Sequence, residues 1–283
     1  MPTRHVLDVH TGHPTSDGAG VRLTRVIGGP GLERFDPFLM LDEFGSENPD
    51  EYIAGFPPHP HRGFETVTYM LEGRMRHEDH MGNVGLLASG GVQWMTAARG
   101  VIHSEMPEQE EGLMRGFQLW LNLPGKAKLG AAGYRDIPPA EIPQTQLPGG
   151  VTAVVIAGTL KAAGQSLDGA VQRPDTEPQY YDLHLPAGGQ VAPHVADGHR
   201  VLLYVYEGAL QLEGFAETAH QGQLLRLSEA GEVQLSSVSG ARVLLIAGRP
   251  LNEPIVQYGP FVMNSAAEIE QAVRDYQAGV LTD

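Results

Sequence analysis

Two short segments of this chain carry histidines at the spacing of metal ligands. His59-Pro60-His61 is followed, forty-two residues after His61, by His103-Ser104-Glu105. In a β-strand, residues two apart point to the same face, so each segment projects two polar side chains together. If the two strands lie near each other, three imidazoles and one carboxylate converge on one point.

A donor set of three nitrogens and one oxygen suits one divalent first-row metal ion, with Fe, Mn, Co, Ni, Cu and Zn as candidates. Four protein ligands leave two positions of an octahedral ion open, which is typical of a reactive site, because structural zinc sites are closed. The chain has no cysteine, so thiolate ligands and nucleophiles are excluded. The alternative is that one or two of these histidines are ordinary surface or core residues.

The composition is that of an acidic globular protein. The chain has 283 residues, of which 41% are hydrophobic and 19% charged, with a formal net charge of −15. Phosphate backbones repel such a chain, so we expect no direct nucleic-acid binding. The first residues lack the apolar segment of a secretory signal, and no stretch approaches the roughly 20 apolar residues of a membrane span. We therefore expect a cytoplasmic protein that does not associate with membranes.

The elements that must position the histidines are predicted to be short strands. The 36 glycines and 21 prolines are spread along the chain, which is typical of many strands joined by turns. Apolar or alternating runs that end at glycine or proline predict strands in two blocks. The first block includes residues 21–27, 38–44, 66–72 and 117–123, and the second includes residues 151–157, 180–185, 201–207 and 242–247.

The two blocks resemble each other in sequence. Residues 66–73 (TVTYMLEG) align with 201–208 (VLLYVYEG), and residues 90–100 (GGVQWMTAARG) align with 222–231 (GQLLRLSEAG) with a one-residue gap. A repeat of this length predicts two similar domains, and many short strands favour sandwiches or small barrels. The predicted bounds are 1–135 for the first domain, 136–150 for a Pro- and Gly-rich connector, 151–250 for the second domain and 251–283 for a tail.

The tail carries the clearest helix signal. Ser265 and Glu268 are spaced as a capping box, in which both side chains satisfy free backbone N–H groups. Ile269, Val273 and Tyr276 follow at helical spacing and predict one apolar stripe that packs on a domain core. Gly279 is a natural end of the helix.

Four longer stretches resemble the pirin family of the cupin superfamily. They are residues 35–44 (FDPFLMLDEF), 59–69 (HPHRGFETVTY), 93–107 (QWMTAARGVIHSEMP) and, at the end of the chain, 253–264 (EPIVQYGPFVMN). The resemblance extends over nearly the whole chain and is looser in the second half. It implies an all-β bicupin, in which two antiparallel β-barrels of the jelly-roll type lie face to face and one metal ion sits in the N-terminal barrel.

The pirin pattern implies that the metal ligands are His59, His61, His103 and Glu105. Pirins are usually described with iron, so the resemblance makes Fe(II) the expected cofactor. The general cupin pattern would instead take its acidic ligand from Glu65, which strand parity also places on the face of His61. We favour Glu105. Glu65 is then left as a hydrogen-bond acceptor beside the ligands or as an ion-pair partner of Arg62.

The second copy departs from this pattern. His194 stands where the first pair would begin, without a second histidine two residues later, and no His-x-Glu pair follows. His194 and His199 together would make a weak site. The second domain is therefore predicted to be a scaffold without metal.

Other polar and aromatic residues have two interpretations each. Gln118 lies inside an apolar strand and must bond something if it is buried, which makes a contact to the metal centre one interpretation. Phe56 and Trp94 either line a flat pocket near the centre or pack in the core. His77 and His80 lie near acidic residues in a predicted turn, so we expect both on the solvated surface.

The resemblance to pirins implies quercetin 2,3-dioxygenase activity, in which O₂ cleaves the flavonol heterocycle with loss of carbon monoxide. Glu105 would act as the base that takes the substrate hydroxyl proton. The partners are then a small aromatic substrate such as a flavonol, together with O₂, and the protein is a monomer. The alternative is a non-enzymatic iron-containing redox sensor that binds a transcription factor or metabolic enzyme. The net charge favours such a protein partner over DNA.

Overall fold

The computed structural model describes residues 2–283. The chain forms two compact units. The first unit comprises residues 13–139 and 251–283, and the second unit comprises the described N-terminal residues up to 12 and residues 140–250. The fold is a mostly β, two-domain cupin fold with one C-terminal α-helix, as predicted from the sequence.

The strands follow each other closely along the chain. The first twelve are β1 (Val6–Thr11), β2 (His13–Asp17), β3 (Val21–Ile27), β4 (Phe38–Ser46), β5 (Phe56–His61), β6 (Phe64–Glu72), β7 (Arg74–Asp79), β8 (Val84–Ala88), β9 (Val92–Thr96), β10 (Val101–Pro107), β11 (Met114–Asn122) and β12 (Gly133–Ile137). The next eleven are β13 (Gln144–Leu147), β14 (Val151–Ala157), β15 (Thr159–Ala162), β16 (Gln165–Asp168), β17 (Gln179–Leu185), β18 (Gln190–Val191), β19 (Arg200–Leu212), β20 (Ala219–His220), β21 (Gln223–Leu227), β22 (Leu235–Ser236) and β23 (Ala241–Gly248). The tail contains β24 (Val256–Tyr258), β25 (Phe261–Met263) and the helix α1 (Ala266–Gln277). Single 3₁₀ turns occupy Pro49–Glu51, Gly125–Ala127, Pro139–Glu141 and Pro148–Gly150.

The first unit contains two antiparallel sheets and the tail hairpin. The larger sheet has the order β12-β9-β6-β11-β4-β3-β2, the smaller sheet has the order β5-β10-β7-β8, and β24 pairs with β25. The strands that carry the two histidine segments, β5 and β10, are therefore neighbours. His103 lies opposite His59, and Val101 lies opposite His61. This pairing is what brings the two segments together.

The second unit is built around one large sheet in the order β1-β21-β19-β23-β17-β14-β13, with the short strands β18, β20 and β22 attached. Its interior is a continuous cluster of buried apolar side chains, among them Val155, Leu183, Leu203 and Leu245. The predicted bounds place the N-terminal residues in the first domain, but the described residues up to 12 belong to the second unit. β1 pairs with β21 in the second unit rather than with the strands of the first unit.

The predicted repeat is visible in the pairing of the strands. The aligned motifs fall on β6 and β19 and on β9 and β21, and the central strands have the order β9-β6-β11 in one sheet and β21-β19-β23 in the other. The copies differ where the aligned Glu-Gly pairs occur. β6 ends at Glu72, before Gly73 with φ of +95°, whereas β19 runs on through Gly208 to Leu212.

The helix in the tail begins as predicted. Ser265 is the N-cap, and its Oγ accepts a hydrogen bond from the backbone N–H of Glu268 (3.3 Å). Ile269 and Ala272 are the buried helix residues, and they pack with Phe261 and Met263 of β25. Tyr276 is 43% exposed, and its ring lies edge-on to that of Phe261 with centroids 6.2 Å apart, so it lies at the margin of the buried stripe. Ala272, one turn after Ile269 on the same face, is fully buried.

The tail is anchored to the segment that carries the first histidine pair. Arg62, next to His61, donates to Asp275 (2.6 Å) in α1 and to the carbonyl of Leu281 (2.9 Å). A Cβ atom at Gly63 would lie 1.9 Å from the carbonyl oxygen of Val262, so only glycine permits this close approach of β25. In the part of the chain that is described, α1 is not long and apolar enough to cross a membrane.

Candidate metal centre

The structure brings three of the predicted ligands together. His59, His61 and His103 each offer a ring nitrogen, and these atoms all lie within 4.8 Å of one another. His61 and His103 are buried, and His59 is half-buried. Within residues 2–283, no other group of three or more histidine, aspartate or glutamate side chains comes together in this way. The cluster arises because β5 and β10 pair with His59 opposite His103.

The hydrogen bonds of the cluster leave ring nitrogens whose lone pairs could bind a shared ligand. His59 Nδ1 lies 2.8 Å from the carbonyl oxygen of Pro57, which leaves its Nε2 free. His103 Nε2 and His61 Nδ1 are buried without a hydrogen-bond partner in the described protein. Unpartnered buried nitrogens are costly, and a metal ion bound to their lone pairs would satisfy them. The residues present therefore fit a divalent ion.

The surroundings keep the imidazoles of His61 and His103 neutral. Burial lowers the pKa of His61 well below its usual value, and the neighbouring His59 lowers it further. Burial likewise lowers the pKa of His103, with added contributions from the rings of His61, His59 and His77. Neutral imidazoles have a lone pair available at neutral pH, which is the form that binds a metal ion.

Glu105 lies on the same strand as His103, and its carboxylate does not belong to the three-residue group. The register of β10 against β5 shifts between His103 and Glu105, which places Glu105 opposite Phe56. Its Oε1 accepts from Thr68 Oγ1 (3.1 Å), and its Oε2 accepts from Gln118 Nε2 (3.0 Å). Such an irregularity in a strand re-aims one side chain relative to its neighbours.

Gln118 is thus a direct partner of Glu105. Its Oε1 accepts from the indole Nε1 of Trp120 (3.3 Å), so the indole N–H fixes which end of the amide faces the carboxylate. Gln118 and Trp120 are two residues apart on β11 and lie on one face. Trp120 also packs edge-on against His61, with ring centroids 5.3 Å apart. The sequence analysis did not single out Trp120, although its parity with Gln118 was a usable signal.

Glu65 is buried near another strand. Its Oε1 accepts from Thr96 Oγ1 (2.6 Å) on β9, and it is not part of the histidine group. Arg62, the ion-pair partner in one of the two interpretations of Glu65, forms its ion pair with Asp275.

A large cavity opens beside the histidines. Its volume is about 1200 Å³, and its lining includes His59, His61, Phe56, Gln118 and Trp120. Phe56 therefore lines the pocket, as one of its two interpretations had it. Trp94 does not line this cavity and is a core residue with 1% of its surface exposed. The aromatic wall next to His61 comes from Trp120.

The expectation that His77 lies on the solvated surface is wrong. His77 is 2% exposed, and its Nε2 lies 2.9 Å from Nδ1 of His103. The segment is a strand rather than a turn, with Met75 and His77 buried and Arg74 and Arg76 exposed. That period-two alternation was the signal for a buried His77. His80, beyond the end of β7, is exposed as expected.

The second unit has no comparable group of ligands among its described residues. His199 Nε2 lies 3.3 Å from a carboxylate oxygen of Glu177, and the carbonyl of His194 accepts from Gln179. The strands of this unit that align with those of the first unit carry buried apolar side chains instead. The metal-binding features of the molecule are therefore concentrated in the first unit.

The fold and this site define a class of protein, namely a two-domain cupin with a candidate three-histidine metal centre in one domain. The chain belongs to the pirin family. The profile of the family described as Pirin matches residues 20–121, and the profile described as Pirin C-terminal cupin domain matches residues 180–282.

Similar proteins extend over the full length of the chain. A Pseudomonas aeruginosa protein named "putative quercetin 2,3-dioxygenase" is 70% identical over 280 residues, which is 98% of each chain. A pirin-like protein of Caulobacter vibrioides is 49% identical and aligns over 99% of each chain. Among solved structures, quercetin 2,3-dioxygenase of Acinetobacter baumannii matches with a TM-score of 0.90 and 33% identity, over 99% of each chain.

Proposed function

We propose that this protein is a metal-dependent dioxygenase of the pirin type, which cleaves a flavonol such as quercetin with O₂. The observation that carries the proposal is the group of His59, His61 and His103, of which His59 and His61 line a cavity of about 1200 Å³. The names of the Pseudomonas and Acinetobacter proteins support the same activity.

The proposed metal ligands are His59, His61, His103 and Glu105. Glu105 follows His103 by two residues on β10, and its hydrogen-bond donor Gln118 lines the same cavity as His59 and His61. The proposed ion is Fe(II). Mn, Co, Ni, Cu and Zn remain candidates, because availability and geometry select among ions that bind this donor set.

The bound metal would supply coordination positions for the substrate hydroxyl and O₂ and a path for electrons between them. The protein would supply the proton acceptor. Each oxygen of Glu105 accepts one hydrogen bond, from Thr68 or Gln118, and keeps a further lone pair for a proton. Because these two donors hold the carboxylate in place, Glu105 is oriented as a base before the substrate arrives.

The cavity has the chemistry of a site for an aromatic substrate. Phe56 and Trp120 present aromatic surface, while Gln118 and Gln257 present amide groups in the lining. Ligand pockets typically combine an apolar lining with a few polar groups that fix orientation. An open cavity beside the histidines also favours an enzyme over the alternative of a redox sensor, which needs no room for a substrate.

The test is turnover by protein loaded with one metal at a time. Purified protein is loaded without oxygen with Fe(II), Mn(II), Co(II), Ni(II) or Cu(II) and then mixed with quercetin in air, while the long-wavelength absorbance of the flavonol is followed. We expect rapid bleaching with at least one ion and none with His61→Ala. The matched control is His199→Ala in the second unit, which should bleach at the wild-type rate.

The opposite result would separate the two candidate roles. Protein that binds metal stoichiometrically but bleaches no flavonol with any ion would contradict the dioxygenase proposal. The iron-dependent redox sensor, which acts through a protein partner, would then be the better hypothesis.

A further inference from the structure

We infer that His77 is a positioning residue that selects the metal-binding tautomer of His103 and thereby sets the metal affinity of the centre. The inference rests on the metal centre of the proposed function and is independent of the substrate and of the reaction.

The geometry places His77 directly behind a ligand. β7 pairs with β10 in the smaller sheet, and His77 lies opposite Glu105. The His77 side chain is 2% exposed, and its ring centroid is 5.0 Å from that of His103. The ring of Tyr134 also packs against it, with ring centroids 5.2 Å apart. The ring of His77 therefore contacts two aromatic neighbours, and its Nε2 lies 2.9 Å from Nδ1 of His103.

The hydrogen positions follow from the chemistry of imidazole. A neutral histidine carries one hydrogen, and the other ring nitrogen keeps a lone pair. If His103 binds a metal through Nε2, its hydrogen must be on Nδ1, and it donates to Nε2 of His77. The hydrogen of His77 is then on its own Nδ1, which is buried and has no hydrogen-bond acceptor among the described residues. The reverse arrangement, in which His77 donates, puts the hydrogen of His103 on Nε2 and blocks the metal.

His59 shows why the partner of His103 matters. The Nδ1 of His59 faces the carbonyl oxygen of Pro57, which can only accept, so neutral His59 keeps its lone pair on Nε2. The partner of His103 is an imidazole, which can accept or donate. The position of the hydrogen on His103 therefore depends on the position of the hydrogen on His77, and both rings are buried. Hydrogen bonds of this kind orient metal ligands and change metal affinity by about 10–100-fold.

Two variants separate the hydrogen bond from simple packing. His77→Leu fills the site but accepts no hydrogen bond. His77→Gln offers a side-chain carbonyl that can accept from His103 Nδ1. We expect His77→Leu to bind Zn(II) about 10–100-fold more weakly than wild type in a chelator competition, and His77→Gln to recover most of that loss. His80→Leu, at the nearby exposed histidine, should bind as wild type does.

Nuclear magnetic resonance of ¹⁵N-histidine in the Zn(II)-loaded wild-type protein reads the tautomers directly and needs no variant to fold. We expect His103 with its hydrogen on Nδ1 and His77 with its hydrogen on Nδ1. A hydrogen on Nε2 of His77 would overturn the inference, as would a folded His77→Leu that binds Zn(II) within twofold of wild type. Wild-type protein that binds no metal ion would overturn the centre itself, whereas intact Zn(II) binding without quercetin turnover would contradict only the dioxygenase proposal.

Discussion

The same pair of neighbouring strand positions is polar in one unit and apolar in the other. In the first unit, Thr68 on β6 lies opposite Gln118 on β11, and both donate to Glu105. The sequence repeat aligns Thr68 with Leu203 on β19, which lies opposite Leu245 on β23. Both leucines are fully buried in the apolar interior of the second unit.

This difference shows how one fold can serve two purposes. Buried apolar side chains stabilise a domain, whereas buried polar groups cost stability unless each finds a partner. The first unit has buried polar groups at His61 and His103, which belong to the candidate metal centre. The second unit keeps the strand order and fills the interior.

The largest expected effect is on metal binding in the first unit. His61→Ala and His103→Ala each remove one of three converging ring nitrogens. We expect each to lower metal affinity by about a thousandfold or more, which corresponds to about 4 kcal/mol. Titration with a chelator as competitor measures the Kd. The matched control is His199→Ala in the second unit, and a similar loss of affinity in that variant would contradict the division of roles.

The second prediction concerns stability in the second unit. Leu203→Ala leaves a cavity in a continuous apolar cluster and should lower the free energy of unfolding by about 2–5 kcal/mol. Metal affinity should not change, because the histidine group lies in the other unit. Urea unfolding followed together with metal titration checks both statements. A loss of metal affinity in this folded variant would show that the two interiors are not independent.

The third prediction concerns an apolar side chain placed in the first unit, at the position that corresponds to Leu245 of the second unit. Gln118→Leu removes the donor to Glu105 Oε2 and leaves that buried carboxylate oxygen without this partner. A hydrogen bond to a charged group contributes about 1.5–3 kcal/mol, so we expect kcat of the metal-loaded protein for the proposed quercetin cleavage to fall by about 10–100-fold. Metal content is measured in the same samples. Gln190→Leu, at an exposed position of β18, is the control and should retain wild-type kcat.

The smallest predicted effect is a pH dependence of the metal-free protein. Burial lowers the pKa of His61 and of His103 in the folded state below the value of about 6.5 in the unfolded chain. Between the two values the unfolded chain binds more protons, so stability is present above about pH 6.5 and is lost as the pH falls below it. Urea unfolding at pH 5.5 and 7.5 measures the loss. His61→Gln should reduce the change in the free energy of unfolding between these two pH values. An unchanged difference in this variant would contradict the assignment of the pH dependence to His61.

The sequence was sufficient for the fold and for three members of the site. Strand parity predicted that His59 and His61 share a face and that the histidines meet if their strands are neighbours, and the pairing of β5 with β10 brings them together. The capping box at Ser265 likewise predicted the start of the only α-helix in residues 2–283. These are local signals, which depend on neighbouring residues and on the period of a strand or helix.

Other features depend on tertiary structure and were not predictable in the same way. Strand parity places Glu105 beside His103, but a register shift between them turns its carboxylate to Thr68 and Gln118. The local alternation around His77 could have shown that it is buried, yet its contact with His103 depends on which strand pairs with β10. The place of Trp94 in the core could not be read from its own strand, because either face of a central strand can be buried.

The most direct test of a single metal centre in the first unit is X-ray diffraction from metal-loaded crystals at the absorption edge of the bound ion. We predict one anomalous peak per chain, placed among the ring nitrogens of His59, His61 and His103, and no peak in the second unit. A peak beside His194 or His199, or stoichiometric metal bound away from the three histidines, would contradict the claim that only the first unit holds the metal centre.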